Sequence, residues 1–267
     1  MNARQSFLDR INAKEIQKEK SKTIVINWNI RNPSLLRAVK QTNWLLKTDS
    51  DIIILTEIKI SQGCTYIKDR LESFGYSVVF PRPKADEYGV LVASRLRPTR
   101  TDFPEKIDCS FRARVVSVSL PVGTTELEII AIYVPNERSE KKKHFLQSLL
   151  IALKNASPRL LRVFCGDFNV LEPGHVPFYP KFEDWEYNFY TDLSKYQLKD
   201  AFRHLNPGAQ EYSWVGRTGD GYRYDHCFVS HSLLPLITKC HYLHEPRTLK
   251  LSDHSAMFTE IVYPKTI

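Results

Sequence analysis

The chain has 267 residues, of which 42% are hydrophobic, and this is enough for a packed core in one large α/β domain or two small ones. Its five cysteines are odd in number and form no Cys-x-x-Cys motif, which argues against a disulfide framework or a zinc cage. A formal net charge of +8 suggests a polyanionic partner, with solubility alone as the alternative.

The sequence contains no uninterrupted apolar run near the roughly 20 residues of a membrane span. The N-terminus also lacks the apolar block of a secretory signal. We therefore expect an intracellular protein, cytoplasmic or nucleoid-associated, with no membrane partner.

The predicted elements begin with residues 1–22, where charged residues surround four apolar ones in the spacing of a short basic helix or a tail. Residues 23–267 show strands and helices without a sharp linker, which favours one domain made of two packed sheets. Helices are predicted at 34–47, 65–73, 140–154, 192–196 and 198–205. Strands are predicted at 23–29, 51–57, 76–80, 90–94, 113–120, 127–134, 160–165, 212–215, 224–230 and 256–262. Residues 171–190 are rich in proline and aromatic side chains, and predict an irregular surface excursion.

Polar side chains follow several of these strands at the point where each one ends. They are Asn29, Glu57, Tyr133, Asn136, Asp167 and Asn169, joined by the pairs Asp225-His226 and Asp253-His254. Packing gives no reason to place so many carboxylates and amides at strand ends, because a buried charge needs a partner or a metal. The pattern therefore predicts one shared polar site.

Six motifs occur in a fixed order along residues 23–263. They are Asn29 after a strand, Glu57-Ile58-Lys59, Tyr133-Val134-Pro135-Asn136, Gly166-Asp167-Phe168-Asn169-Val170, Tyr224-Asp225 and Ser252-Asp253-His254. In this order they resemble the endonuclease/exonuclease/phosphatase superfamily, and in particular its exonuclease III and AP endonuclease branch. The resemblance implies a four-layer α/β sandwich, in which two mainly antiparallel sheets pack face to face with helices outside. It also implies that residues 23–267 form a catalytic domain that hydrolyses phosphate esters with Mg²⁺ or Mn²⁺.

The metal would be held by few protein groups. Mg²⁺ prefers carboxylate and carbonyl oxygens and keeps several waters, so one or two acids are enough. We expect Glu57 as the first ligand, with Asn29 and Asp253 beside it. Asn29 is preferred to Asn27 because members of the family carry the asparagine directly after the tryptophan. Arg31 stands where the family often carries a further acid, which leaves the number of metal ions open.

Ester hydrolysis also needs an activated water and groups that stabilise the developing negative charge. Asp167 is expected to orient or deprotonate the water, and Asn169 to hold the phosphate or the oxyanion. His254 would donate a hydrogen bond or a proton to a phosphate oxygen, while Asp225 orients and charges the imidazole. The resemblance implies the same pairing of Asp225 with His254.

Further contacts to phosphate are expected from Tyr133, Asn136 and Lys59. Lys59 matches the nuclease branch of the family rather than its phosphatase or sphingomyelinase branches. A basic, aromatic rim would contact the DNA backbone and stack on exposed bases. Its predicted members are Arg138, Lys141–Lys143, Trp214, Arg217, Tyr222 and Arg223.

Each of these assignments has a structural alternative. Asp253 suits a turn or helix cap, and Asp167 with Asn169 suits an Asx turn. Tyr133 suits a strand aromatic, and Lys141–Lys143 a solvated helix start. His226 is expected to be structural.

The sequence thus predicts Mg²⁺-dependent hydrolysis of DNA by a monomer that acts on duplex, nicked or abasic DNA. Tyr224 stands where AP endonucleases commonly carry a smaller Leu or Ile, so the choice between an abasic-site enzyme and a less specific nuclease stays open. One alternative is a phosphatase or an RNA or lipid phosphodiesterase on the same fold. A second alternative is a DNA-binding module with a spent active site.

Overall fold

The structure is a computed structural model that describes residues 22–85, 87–137, 139–157 and 161–264. The predicted N-terminal helix or tail lies outside the described residues, except for Lys22, which is the first residue of a strand. Arg138 of the predicted rim also lies outside them. Within the described residues, no helix has the length and apolar character needed to cross a bilayer.

Strands and short helices alternate along the chain. The strands are β1 (Lys22–Asn29), β2 (Ile52–Ile58), β3 (Ser77–Val79), β4 (Gly89–Ser94), β5 (Thr99–Arg100), β6 (Val115–Val122), β7 (Thr125–Tyr133), β8 (Leu161–Asp167), β9 (Leu198–Asp200), β10 (Trp214–Val215), β11 (Gly221–Tyr222), β12 (Asp225–Ser230), β13 (Ile237–Leu243) and β14 (Ala256–Val262). The α-helices are α1 (Leu35–Lys47), α2 (Gln62–Ser73), α3 (Glu140–Lys154), α4 (Asp184–Asp192), α5 (Ala201–Leu205) and α6 (Glu245–Thr248). Short 3₁₀ helices lie at Phe103–Lys106, Cys109–Arg114, Leu193–Tyr196 and Leu234–Leu236.

The strands form two large sheets and one small ribbon. The first sheet has the order β13-β14-β1-β2-β4-β3, and the second has the order β5-β6-β7-β8-β12-β9. Strands β10 and β11 pair in the ribbon. The β1–β2 and β7–β8 pairs are parallel, whereas the other pairings are antiparallel.

Alternating apolar side chains build the layers, since successive residues of a strand face opposite sides of a sheet. In β2, Ile52 and Ile54 face the second sheet, while Ile53 and Leu55 pack under α1 and α2. In β8, Phe164 packs under α3 and α4 on the outer side of the second sheet. The molecule therefore has four layers, with two helical layers outside two sheets, and the predicted four-layer α/β sandwich is confirmed.

Two local predictions were wrong. The 171–190 segment is not entirely irregular, because its end forms α4, whose capping box joins Glu183 and Glu186. The segment predicted as a helix over 198–205 begins as strand β9, since Leu198 and Asp200 pair with β12. In both places contacts that are distant in sequence outweigh the local pattern.

The topology brings the polar strand ends to one edge. Parallel pairing places the carboxyl end of β1 beside that of β2, and the end of β7 beside that of β8. Strands β12 and β14 run antiparallel to β8 and β1, so both begin at this same edge. The edge where these six termini meet carries the candidate site.

Candidate active site

Asn29 joins the two sheets at the centre of the site. Its buried side-chain amide donates to Glu57 Oε1 at 3.1 Å and to Asp167 Oδ2 at 2.8 Å. The Asn29 Oδ1 atom accepts the Arg31 backbone N–H at 3.0 Å, which orients the amide nitrogen toward the two carboxylates. A carboxylate of the first sheet and one of the second are therefore bridged by one side chain.

The backbone at the site is strained. Glu57 has φ of 56° and Asn169 has φ of 49°, values in the left-handed region that a glutamate rarely adopts. The β2–β4 pairing also shifts register between Leu55 and Ile58. Each such residue costs on the order of 1–3 kcal/mol and persists only when its surroundings hold it. Both residues lie within two positions of a strand end, Glu57 near the end of β2 and Asn169 just after β8.

Tyr133 supplies a second contact to Glu57. Its hydroxyl donates to Glu57 Oε1 at 3.1 Å. Burial, followed by the charge of Glu57, raises the pKa of Tyr133 well above its ordinary value. The phenol therefore stays neutral and acts as a hydrogen-bond donor beside the carboxylates.

Asp225 and His254 form a buried pair. His254 Nδ1 lies 2.7 Å from Asp225 Oδ2. Burial alone would lower the pKa of His254, but the charge of Asp225 and this hydrogen bond raise it to about 9. The imidazole is thus protonated at neutral pH, and its Nε2 atom has no hydrogen bond to another described residue.

The backbone of His254 is fixed by residues that the sequence analysis did not single out for this role. Trp28 Nε1 donates to the His254 carbonyl at 3.1 Å, and the His254 N–H donates to Ser252 Oγ at 3.2 Å. The Ser252 hydroxyl in turn donates to the Asn29 carbonyl at 2.6 Å. No spacing rule identifies Ser252, because it lies 223 residues from Asn29 along the chain.

Asp167 lies between these groups in an excess of negative charge. Burial, followed by the negative charge of Asp225, raises the pKa of Asp167 to about 8. Among the described residues Asp225 Oδ1 is buried without a hydrogen-bond partner. Buried carboxylates with too little positive charge around them fit a hard divalent cation, which takes oxygen ligands.

A cluster of acidic and histidine side chains close enough to share a metal ion does occur at the site, but it contains none of the three predicted metal ligands. One ligand atom each from Asp167, Asp225 and His254 lie within 4.8 Å of one another. His254 Nδ1 already shares a proton with Asp225, so this trio is better suited to acid–base chemistry than to holding a cation. Glu57 and Asp253 remain as oxygen ligands for a metal. Asn29 orients Glu57 through its amide nitrogen, while its Oδ1 atom accepts the Arg31 backbone N–H.

Asp253 sits at the more open side of the site. Its Oδ2 atom accepts Trp214 Nε1 at 3.3 Å and lies 3.6 Å from Arg31 Nε. The Asp253 side chain is 34% exposed, so it is reached by solvent, unlike the buried Asp167. The Trp214 backbone also forms an isolated bridge with His254, which places this segment beside the acid–base pair.

Stacked rings form an aromatic wall next to this opening. Its members are Tyr179, Phe182, Trp214, Tyr222 and Tyr224. The Tyr179 and Tyr222 rings lie 4.1 Å apart, and the Tyr222 and Tyr224 rings 5.1 Å apart, both nearly parallel. Lys181 Nζ lies 4.6 Å from the Tyr222 ring centroid. Tyr179, Lys181 and Phe182 belong to the segment that was expected to be an irregular excursion.

Asn169 is held by a buried ion pair. Its N–H donates to Asp167 Oδ1 at 3.0 Å and its amide donates to the Val134 carbonyl at 2.9 Å. Lys142 Nζ donates to the Asn169 carbonyl at 2.7 Å and pairs with Glu186 of α4. Lys142 is buried, so its predicted place on a solvent-facing rim is wrong, because it turns inward from the first turn of α3.

The expected phosphate contact from Arg223 is also wrong. The Arg223 side chain is 0% exposed and lies 2.7 Å from Glu172 and 2.8 Å from Asp200. Arg223 lies between β11 and β12, and its side chain contacts these two acids, while the Tyr222 and Tyr224 rings on either side of it stack on each other. His226 is likewise buried and contacts the Val170 carbonyl at 3.1 Å, as expected of a structural residue.

Lys59 and Asn136, which were predicted to contact phosphate, form no hydrogen bond with Asn29, Glu57 or Asp167 within the described residues. Lys59 Nζ is 4.4 Å from the Tyr88 ring centroid, and the Tyr88 ring packs edge-on against Tyr133 at 5.8 Å. Asn136 is exposed in the loop that follows β7. The predicted rim residues Lys141 and Arg217 are exposed as well.

The geometry can be compared with known proteins. The sequence profile of the Endonuclease/Exonuclease/phosphatase family matches residues 26–254. The chain is 27% identical to exodeoxyribonuclease III of Haemophilus influenzae, over 80% of this chain and 91% of that protein. Its fold is similar to an AP endonuclease from Archaeoglobus fulgidus, with a TM-score of 0.76 and 21% identity, covering 89% of this chain and 98% of the other. It is similar to the 3′ phosphatase NExo from Neisseria, solved with a product DNA hairpin, with a TM-score of 0.76 and 22% identity over 90% and 100% of the two chains.

A fold with two face-to-face sheets and a carboxylate-rich edge, together with this match over most of the chain, defines a class of phosphate-ester hydrolases. The protein belongs to the Endonuclease/Exonuclease/phosphatase family.

Proposed function

We propose that the protein hydrolyses phosphodiester bonds of DNA with the help of Mg²⁺ or Mn²⁺. The observation that carries the proposal is the Asn29 bridge, which joins Glu57 and Asp167 beside the protonated His254. In this arrangement Glu57 is available to bind a cation, Asp167 to bind a water molecule, and His254 to donate a hydrogen bond to a phosphate oxygen. The exodeoxyribonuclease III of Haemophilus influenzae supports DNA as the substrate.

The cation would be held by Glu57, which accepts the Asn29 amide, and by Asp253, whose Oδ1 atom lies 3.4 Å from Ser252 Oγ. When bound, it would neutralise negative charge on the phosphoryl oxygens and assist the departing alkoxide. Asn29 fixes the Glu57 carboxylate through its amide hydrogen bond. The Tyr133 hydroxyl fixes the same oxygen from the second sheet.

Asp167 is proposed to orient the attacking water and take its proton. Its pKa of about 8 applies to the metal-free protein, and the charge of a bound cation would favour the ionised carboxylate that takes the proton. The Asn169 N–H donates to Asp167 Oδ1 and holds the carboxylate in one orientation. A base with a fixed orientation loses little entropy when it contacts the water.

His254 is proposed to donate a hydrogen bond from Nε2 to a phosphate oxygen. Asp225 keeps the imidazole charged and oriented through Nδ1. A charged donor in a buried site stabilises developing negative charge more strongly than a neutral one. The Asn169 amide has a second N–H besides the one donated to the Val134 carbonyl, and it would supply a further neutral donor to the same phosphate.

The aromatic wall favours a nucleic acid over a small phosphate ester. Stacking on aromatic rings binds bases without regard to sequence, at about 1–3 kcal/mol per base. The wall lies beside Asp253 through Trp214, so a strand whose phosphate enters the site would pass along it. Its tyrosines are in direct ring contact with one another, which leaves no gap between them for an extruded sugar.

A substrate panel tests the proposal. Supercoiled plasmid, nicked duplex, abasic duplex, RNA and inositol phosphates are incubated with MgCl₂ and, as a control, with EDTA. Cleavage of the DNA substrates in MgCl₂ but not in EDTA is the expected result. Preferential turnover of RNA, a lipid headgroup ester or an inositol phosphate would replace the DNA assignment by another activity on the same fold.

A further inference from the structure

Arg31 has a backbone that is fixed on both sides. Its N–H donates to Asn29 Oδ1 at 3.0 Å, and its carbonyl accepts a hydrogen bond from the Arg37 guanidinium. Arg31 has φ of 53° and the following Asn32 has φ of 33°. Two consecutive left-handed residues turn the chain sharply at the end of β1, so the root of the Arg31 side chain has a defined position beside the site.

The guanidinium itself is largely uncommitted. The Arg31 side chain is 57% exposed, and its one ion pair with another residue of the described ranges joins Nε to Asp253 Oδ2 at 3.6 Å. The same Asp253 oxygen also accepts Trp214 Nε1, so it is shared between two donors. Within the described ranges, the two terminal nitrogens of Arg31 have no hydrogen-bond partner. An arginine whose backbone is fixed and whose two terminal nitrogens are free can form a pair of hydrogen bonds with an anion from solution.

The opening of the site carries several negative charges, and Arg31 supplies a positive charge beside them. Glu57, Asp167, Asp225 and Asp253 place several carboxylates where a phosphate of the same sign would have to enter. Lys59, the lysine expected to contact phosphate, is placed against the Tyr88 ring. Arg31 presents a permanent positive charge on the solvent side of Asp253, where a phosphate group arrives before it reaches the buried pair.

We propose that Arg31 is a substrate-binding residue that contacts a backbone phosphate of the nucleic acid at the mouth of the site. Asp253 orients the guanidinium before the phosphate arrives, through the long Nε contact that leaves both terminal nitrogens free. The proposal rests on the proposed function, because it takes a nucleic acid as the ligand. It concerns binding, so it can be tested without turnover.

The test measures DNA affinity of the full chain by fluorescence anisotropy in EDTA, with a short labelled duplex and a series of salt concentrations. A lost phosphate contact lowers the slope of log K against log salt by about 1. Arg31→Gln is expected to show this loss, with an affinity about 3- to 10-fold weaker at low salt. Arg31→Lys is expected to keep the slope, because it keeps the charge, and to lose only part of the affinity.

Arg97→Gln is the matched control, since it removes the same charge from an exposed position. Arg97 follows β4 at the opposite edge of the sheet, where Ser94 pairs with Ile52 at the start of β2. Its slope is expected to equal that of the wild type. Thermal unfolding of each variant establishes that it is folded at the temperature of the assay. If Arg31→Gln is unfolded at that temperature, Arg31→Lys is compared with the wild type instead.

The outcomes separate the two proposals. If the wild type binds DNA with a clear salt dependence and Arg31→Gln keeps the same slope as Arg97→Gln, the role of Arg31 is overturned while the DNA assignment stands. The same conclusion follows if Arg31→Lys behaves like a complete loss of charge. If the wild type itself shows no salt-dependent binding to DNA, the proposed substrate fails, and the Arg31 proposal fails with it.

Discussion

His254 Nδ1 and Asp225 Oδ2 are 2.7 Å apart, and both residues are buried at the edge where the two sheets meet. The two residues come from the beginning of β12 and from the turn before β14, which belong to different sheets. Their contact therefore depends on how the sheets are packed. It places a protonated imidazole within 4.8 Å of the Asp167 carboxylate.

The roles of Asp167 and His254 predict a loss of rate without a loss of binding. Asp167→Ala and His254→Ala are each expected to lower the hydrolysis of DNA by at least about 100-fold, since general acid–base groups contribute roughly 10²–10⁴. DNA affinity, measured by anisotropy, is expected to change little. His204→Ala is the control, because His204 is an exposed histidine outside the site. Normal cleavage by both variants would show that the roles assigned to Asp167 and His254 are wrong.

The raised pKa values predict how the metal-free protein responds to pH. Between about pH 4 and 8 the folded state keeps a proton on Asp167 that the unfolded chain has released, and between about pH 6.5 and 9 the same holds for His254. Folding therefore takes up protons, and stability falls as pH rises through both windows. In EDTA, the free energy of unfolding is expected to fall by roughly 5–6 kcal/mol between pH 6 and 9.

Urea unfolding at a series of pH values measures this dependence. Asp167→Asn removes one of the two titrating groups and is expected to flatten the curve below pH 8. Adding MgCl₂ to the wild type is expected to flatten it as well, because a bound cation stabilises the ionised carboxylate. A wild-type curve that rises with pH over this range would contradict the assigned protonation states.

The buried pair of Lys142 and Glu186 predicts a coupled effect on stability and activity. Lys142→Met leaves the Glu186 charge without this partner, and is expected to destabilise the protein by about 3–5 kcal/mol. It also removes the hydrogen bond to the Asn169 carbonyl, so activity at a temperature where the variant is folded is expected to fall. Lys141→Met is the matched control, because the adjacent Lys141 is exposed on the same helix. Equal melting temperatures for the two variants would show that the ion pair does not contribute to the stability of the fold.

Gly166 predicts a strict requirement for glycine just before Asp167. Its φ is 149°, and a Cβ atom there would lie 1.9 Å from the Ile132 carbonyl oxygen of the neighbouring strand. Gly166→Ala is expected to lower the free energy of unfolding by at least about 2 kcal/mol and to displace Asp167. Gly208→Ala is the control, since nothing lies within 4 Å of its Cβ position. Circular dichroism melting curves measure the difference, and a Gly166→Ala variant as stable as Gly208→Ala would contradict the packing described here.

The positions of the polar strand ends were predictable because they depend on local sequence. Strand β8, for example, is apolar from Val163 to Cys165, and the sequence then changes to Gly-Asp where the strand ends. The order of such motifs also indicated the family, which the match over residues 26–254 shows. Arg223 and Lys142 were misplaced because a cation in a polar stretch looks the same in sequence whether it faces solvent or a buried acid.

The partners of those two residues explain the errors. Arg223 pairs with Glu172 and Asp200, which lie 51 and 23 residues away along the chain. Lys142 pairs with Glu186, which belongs to the segment expected to be irregular. No periodicity connects such residues, because their contacts are formed by the packing of separate elements.

The sequence by itself determined the alternation of apolar and polar residues, the strand ends and the kinds of groups they carry, since each depends on neighbours along the chain. The tertiary structure alone decided that Asn29 bridges Glu57 and Asp167, and that Arg31 keeps a free guanidinium beside Asp253. These relations set charges and orientations, and both depend on burial and on distances of a few ångströms between residues from different sheets. Such distances are fixed when the two sheets pack.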